Sequence, residues 1–266
     1  MKKIISLVLA TALTATLFVG CAKESNTITM YTNAEFPPFE YRQGETIVGV
    51  DADIAKEIAK DMGKTLKIED VKFDSIIPAV KAGKADFGAA GMTVNEERLE
   101  EVDFSIKYIK TTQYVIIKEG DTFTNLSSLA GKTIGVQTGT TGDIYVATPE
   151  VNGKKEKGKM IKGAIQDTGA KIEPYDNALI AAQALMAGKI NAVIIDELPA
   201  KAIVEANKGI KAMEFKYDDG SNFVDEYAIA VKKGNKKMLD AVNKTLKRLI
   251  SEGKIGEYLN KHTGAK

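Results

Sequence analysis

The sequence predicts an α/β fold divided into two lobes of similar plan, and three observations carry that expectation. The segment AGKADFGAAG, Ala82 to Gly91, returns further along as AGKINAVIID, Ala187 to Asp196, each time after an apolar helical stretch and before a short apolar run. Strand-like and helix-like runs alternate at short spacing, the rhythm of a mainly parallel sheet. Two segments, 108–112 and 223–227, read as hinge crossings, so a first lobe of residues 28–107 and 228–266 would embrace a second of 113–222. The doubled phrase also sets Gly91 and Asp196 at equivalent strand ends. Ligands of open α/β sheets bind outside the carboxyl ends of the strands, so a cleft between the lobes follows.

The individual elements support this plan. Ile28 to Thr32 is a strand with alternating character, stopped by Asn33 and Pro37-Pro38, and Glu45 to Val50 is a second strand-like run. Asp53 is placed to N-cap a helix through Met62, with Ile54, Ile58 and Met62 on one face and Gly63 as its stop. Leu66 to Val71 returns as a strand, Asp74 can cap a helix through Ala82, Phe87 to Ala90 is the next strand, and Asn95 begins an acidic helix. After Gly131 the rhythm resumes with strands at Thr133–Val136 and Lys171–Glu173, a helix at Asn177–Ala187 and a strand at Ala192–Ile195. Val224 to Val231 is strand-like, and amphipathic helices near Lys237–Ile250 and Ile255–Leu259 close the chain.

Composition narrows the function. The 266 residues suffice for two small lobes, each with a core, and 44% apolar with 27% charged residues is ordinary for a soluble globular protein. A formal charge of +1 gives no case for nucleic acid as a partner. The lysines at 154, 155, 157 and 159, flanked by Gly153 and Gly158, read as a solvated loop. Lys2 and Lys3, the uncharged run Ile4–Val19 and then Gly20-Cys21 have the form of a secretory signal over residues 1–20. Its removal takes away two lysines and leaves a formal charge of −1. Cys21 is the sole cysteine and His262, near the chain end in an expected frayed tail, the sole histidine. No disulfide, cysteine-rich metal site or His-pair zinc site can be built, and neither metal nor cofactor is expected.

Binding chemistry gathers after the first copy of the repeat. In Gly91-Met-Thr-Val-Asn-Glu-Glu-Arg98, Thr93 and Asn95 stand just before a helix whose first turn holds Arg98. A cation there opposes the helix dipole, so its placement makes sense if it forks onto an anionic ligand. Asp196, at the matching strand end, can cap the following helix or face that arginine across the cleft. An arginine and a carboxylate so opposed match the two ends of an α-amino acid. Gln137-Thr138-Gly-Thr-Thr141-Gly142 adds hydroxyls and backbone N–H groups, and is no P-loop because the Gly-Lys-Ser/Thr ending is missing. Asn33, Phe36, Phe39 and Phe73 complete the set, with the phenylalanines fit either for core packing or for lining the cleft. No GxSxG elbow, Walker motif or distinct acid pair points to catalysis.

These phrases together resemble the polar-amino-acid-binding proteins of bacterial ABC importers over essentially the whole mature chain. The matching residues are Phe36-Pro-Pro-Phe39, Gly49-Val-Asp-Ala-Asp53, Phe73-Asp-Ser-Ile-Ile-Pro78, Gly91-Met-Thr93 with Glu97-Arg98, Val102-Asp-Phe-Ser105, Gln137-Thr-Gly-Thr140 and Asp196. The resemblance implies a bilobed periplasmic-binding-protein-like fold of type II, two α/β lobes joined by two hinge strands. It implies that Arg98, helped by Thr93, Gly91 and Thr141, binds the ligand's α-carboxylate, and that Asp196 binds its ammonium. Phe36 and Phe73 would flank the side chain, with Asn33, Ala90, Gln137 and Ile195 shaping the end of the pocket. It further implies a monomer that hands its L-amino acid to a membrane permease.

Phe18-Val-Gly-Cys21 resembles a bacterial lipoprotein cleavage site, so lipidation at Cys21, a polar tether over 21–27 and an extracytoplasmic, membrane-anchored chain are expected. Relatives that bind basic amino acids often carry an acid where this chain has Asn33. The amides Asn33 and Gln137 therefore favour a neutral polar ligand such as glutamine, provided Glu35 does not turn inward. The alternative is an extracytoplasmic enzyme on the same fold, such as a cyclohexadienyl-type dehydratase, with Glu173 or Asp176 as its acid.

Overall fold

The computed structural model describes residues 26–146, 155–156, 159–160, 165 and 167–264. The signal segment, Cys21 and most of the Gly- and Lys-rich stretch around 148–170 lie outside the described residues. The chain forms two α/β lobes joined by two hinge strands.

The first sheet has the order β5 (Thr65–Asp70), β1 (Thr27–Thr32), β6 (Phe87–Gly88), β16 (Ala230–Lys232) and β7 (Val102–Phe104). The second runs β12 (Lys171–Tyr175), β9 (Thr133–Gln137), β13 (Ala192–Asp196), β8 (Ile109–Lys118) and β14 (Ile210–Glu214). A small antiparallel sheet joins β2 (Glu35–Phe36), β3 (Glu40–Gln43) and β4 (Thr46–Val48), and β10 (Lys155–Glu156) pairs with β11 (Lys159–Met160). The helices are α1 (Val50–Asp61), α2 (Ile76–Ala82), α3 (Glu96–Glu101), α4 (Thr141–Val146), α5 (Ala178–Met186), α6 (Glu197–Ala206), α7 (Lys236–Ser251) and α8 (Lys254–Thr263). Thr27 already belongs to β1, so the expected tether stops one residue short of it.

The repeated phrase is a repeated structure. β1 lies parallel between β5 and β6, and β9 lies parallel between β12 and β13. In each sheet the next strand, β16 or β8, runs antiparallel. The helices before the third strands end alike, at Gly83 with φ 74° and Gly188 with φ 75°. The Gly83 and Lys84 N–H groups donate to Val80 and Ala79, and those of Gly188 and Lys189 to Leu185 and Ala184, the same closing pattern at both ends. Three residues past each glycine a side chain ties the unit together. Asp86 accepts from the Thr29 N–H at 2.7 Å, and Asn191 accepts from the Thr133 N–H at 2.9 Å.

Four expectations are corrected by long-range partners. Asp53 does not cap α1: the helix starts at Val50, whose N–H and that of Asp51 donate to the Pro38 and Phe39 carbonyls, so no side-chain cap is needed. Asp74 lies in a 3₁₀ turn, Phe73–Ser75, ahead of α2 and caps nothing. The run from Val224 to Val231 is two strands, because the chain leaves β15 (Val224–Tyr227) at Ala228 to enter the first sheet as β16. His262 is not frayed. Its side chain is 5% exposed on α8, with Nε2 2.9 Å from Asp53 Oδ2 and Nδ1 3.1 Å from the Tyr41 hydroxyl. Burial alone would raise the Asp53 carboxyl, but hydrogen bonds from Lys261, Lys56 and His262 outweigh it and hold it at about 2.

Two outcomes follow. Gly83→Ala and Gly188→Ala should each cost about 1 kcal/mol in urea unfolding, since both need a left-handed backbone. Asp53→Asn should cost about 1 to 2 kcal/mol at pH 7, a figure reduced for solvent screening of this partly exposed group. A depressed carboxyl stabilises above its unfolded value and loses that contribution as it protonates. The gap between wild type and Asp53→Asn should therefore shrink as pH falls from about 4 towards 2.

Candidate functional site

The loop that follows β6 in the first lobe meets the loops that follow β9 and β13 in the second. Gly91 has φ 53°, and a Cβ there would lie 2.6 Å from the Phe36 ring, so glycine is required both by the backbone and by the approach. The Gly91 N–H donates to Asp51 Oδ2 at 2.9 Å. The next residues run beside β15: Thr93 bridges to Tyr227, and the Ala228 N–H donates to the Met92 carbonyl. Asn95 caps α3 by accepting from the Arg98 N–H at 2.8 Å, as its position in the sequence suggests.

Arg98 is 5% exposed, and its guanidinium spans the cleft. Nη1 donates to the Thr93 carbonyl at 2.6 Å and Nη2 to the Gly139 carbonyl of the other lobe at 2.9 Å, while the guanidinium carbon lies 5.4 Å from the centre of the Phe73 ring. Asp196 ends β13 at the cap position of α6, but its side chain does not cap the helix. Its Oδ1 accepts from the Tyr227 hydroxyl at 2.7 Å. Burial, joined by the charge of Asp225, pushes the Asp196 carboxyl up to about 8. At the far end Gln137 Nε2 donates to Asn33 Oδ1 across the cleft at 2.9 Å, and Asn33 Nδ2 donates to the Val71 carbonyl at 3.0 Å.

One enclosed pocket thus brings together Asn33, Phe36, Phe73, Ala90, Gly91 and Thr93 from the first lobe with Gln137, Thr141 and Asp196 from the second, and Arg98 closes it. The space at its centre is ≈ 10 Å³, at the lower limit for one water, so an amino acid can enter only if the lobes part. Thr138 does not line it: both its N–H and its hydroxyl donate to the Tyr175 carbonyl, which holds the residue on β12. Phe39 and Ile195 are core residues, and Phe39 packs edge-on against Tyr227 with ring centres 5.0 Å apart. Glu35 does not turn inward; it is exposed and accepts from Asn177 Nδ2 of the opposite lobe at 2.7 Å.

Two lining residues escaped the sequence reading, Thr140 and the fully buried Glu40. Thr140 follows Gln137-Thr-Gly and was reachable from that phrase. Glu40 gave no signal, because it follows Phe39 at the start of a strand and nothing local marks it as internal. The acids that a dehydratase would need do not reach the pocket. Glu173 accepts from the Tyr175 hydroxyl at 2.6 Å, and Asp176 pairs with exposed Lys72 at 2.8 Å. Among the described residues no group of His, Cys, Asp and Glu could hold a metal ion.

Two lobes on paired hinge strands, closing on a buried arginine and a buried carboxylate, define a binding protein of the cleft type. The chain belongs to the bacterial extracellular solute-binding proteins, family 3, whose model matches residues 28–265. It is 30% identical over 273 residues, the full length of both chains, to the arginine-binding extracellular protein ArtP of Bacillus subtilis (strain 168). It is also similar to an ancestral arginine-binding protein solved twice. The arginine-bound structure has a TM-score of 0.76 and the glutamine-bound one 0.75, both at 34% identity, covering 89% of this chain and 98% and 97% of theirs. These relatives are binding proteins and not enzymes.

Asp196 is buried with the lobes together, and a carboxyl whose pKa is raised by burial favours the buried state only while it is protonated. The closed fraction of the ligand-free protein should therefore fall as pH rises from about 4 to about 8. Asp196→Asn should remove that dependence, as read by spin-label distances between the lobes.

Proposed function

We propose that this protein captures an L-amino acid with a neutral polar side chain, glutamine foremost, and presents it to the permease of an ABC importer. Arg98 takes the α-carboxylate with Thr93, Gly91 and Thr141, and Asp196 takes the ammonium. The lobes close about the crossings at 108–112 and 223–227, and the ligand favours closure because it touches both lobes. Cys21, lipidated, holds the monomer to the outer face of the membrane.

The observation that carries the choice of side chain is the Asn33–Gln137 pair. A ligand side chain reaching that end meets amides that can donate and accept, with no carboxylate to balance a cation, and a buried unpaired guanidinium costs several kcal/mol. The pocket acids, Glu40 and Asp196, belong to the Gly91 end. Arginine is the second reading, favoured by the names of several relatives.

Calorimetric titration of the mature protein lacking Cys21 against the twenty L-amino acids decides between them. Micromolar or tighter binding of glutamine with weak binding of arginine is the expected result; the reverse order would replace the first reading with the second, and no binding at all would overturn both. Arg98→Ala and Asp196→Ala should each weaken binding by at least about 2 kcal/mol. Asn33→Asp should move preference towards lysine and arginine, because it sets a carboxylate at the side-chain end.

A further inference from the structure

Glu40 is an anomaly that binding by Arg98 and Asp196 does not explain. It is fully buried, it lines the pocket together with Asp196, and no N–H or hydroxyl among the described residues donates to either of its oxygens; its hydrogen-bonding neighbour is another acid, Asp51. Burying a carboxyl group with no donor directed at it costs several kcal/mol, which a leucine in the same space would avoid. The backbone gives Glu40 no freedom to escape. It is the first residue of β3, pairs with Phe36, and follows directly on Phe39, whose carbonyl accepts from the Asp51 N–H at the start of α1.

The acids near Glu40 are already engaged. Asp51 accepts from the Gly91 N–H and from the Tyr108 hydroxyl at 2.6 Å, and Asp196 gives one oxygen to the Tyr227 hydroxyl. Glu40 is the acid at this end to whose oxygens no N–H or hydroxyl of the described residues donates. An ammonium group carries three N–H donors, more than the remaining oxygen of Asp196 can satisfy.

We propose that Glu40 is the second carboxyl group of the ammonium seat, taking one N–H of the ligand while Asp196 takes another. This rests on the amino-acid reading above. Burial, then the charge of Asp51 and a hydrogen bond with it, and the charge of Asp196, push the Glu40 carboxyl well above the ordinary range, so the empty pocket favours its protonated form and an arriving cation its ionised one. The arriving ammonium stabilises the carboxylate, the O–H bond breaks, and the proton passes to solvent. Binding therefore releases a proton and strengthens as pH rises.

The test is calorimetry with L-glutamine and L-arginine on the mature protein at pH 7, in two buffers of different ionisation enthalpy. Wild type should release more than one proton per amino acid bound, because the Asp196 carboxyl, held at about 8, gives up its proton to the same ammonium. Glu40→Gln keeps the shape and removes the acid; it should bind about tenfold or more weakly and release about one proton fewer than wild type, the Asp196 proton still being released. Unchanged affinity and release in a folded Glu40→Gln would show that Glu40 is a neutral packing group and overturn the assignment. If that variant does not fold, Glu40→Asp, drawn back by one methylene, should keep the release but lose affinity, and unchanged affinity would again overturn it. A wild-type protein that binds no amino acid fails the underlying reading, whereas one that binds while Glu40→Gln matches it fails this assignment alone.

Discussion

The antiparallel pairing of β8 with β15 is the constraint from which both lobes hang. Four residue pairs, from Ile109 opposite Tyr227 to Thr112 opposite Val224, join the strands where the chain crosses out and back. Backbone bonds from Tyr108 to the Tyr227 carbonyl and from Gln113 to the Phe223 carbonyl extend the ladder at both ends. Beyond the crossing, β8 runs between β13 and β14 of the second sheet, and β15 leads into β16 between β6 and β7 of the first. A two-stranded ribbon can twist and bend but cannot lengthen, so relative motion of the lobes is rotation about this ladder.

The site is wired to the ribbon by two tyrosines. Both stand at the end of the ribbon nearer the first lobe: Tyr108 gives its hydroxyl to Asp51 of the first lobe, and Tyr227 gives its hydroxyl to Asp196 of the second. The rings lie 6.5 Å apart, and Tyr227 also touches Phe39 and Phe36. Asp225, on the same strand, accepts from Gln113 at 2.7 Å and from Thr141 at 3.0 Å, linking the ribbon to the start of α4. Charge rearranged at the pocket acids is therefore felt at once by the strands that set the angle between the lobes. Arg98 and the Phe73 ring close the opposite wall.

What could be read from the sequence divides by the range of the interaction. Asn95 and Asn177 are legible as caps because a cap bonds only a few residues ahead, and each accepts from the N–H three residues on. Arg98 and Asp196 stand out through position: one against the sense of a helix dipole, the other at the end of an apolar run that copies an earlier one. Thr138 reads with the hydroxyls of its turn, but its N–H and hydroxyl both donate to the Tyr175 carbonyl, a partner on β12 that the local sequence does not show. Glu40, Asp53 and His262 were opaque for a common reason. Their partners or surroundings come from distant parts of the chain, as His262 and Asp53 show by joining α8 to α1. Nothing local distinguishes such a buried polar side chain from a solvated one.

The interruption of the first sheet by β16 bears on how the molecule assembles. The second lobe's sheet is built from one continuous stretch, β8 to β14, whose strands can find one another as soon as that stretch exists. The gap between β6 and β7 in the first sheet is filled by residues 230–232, and α1, packed on one side against β5, takes α7 and α8 from near the end of the chain as further cover. These contacts are the ones of greatest sequence separation, the slow kind to form. A nascent or threading chain therefore carries a nearly complete second lobe beside a half-made first one, with the apolar edge of β6 uncovered until the last segment emerges. The lobe that holds Arg98 is the one finished last.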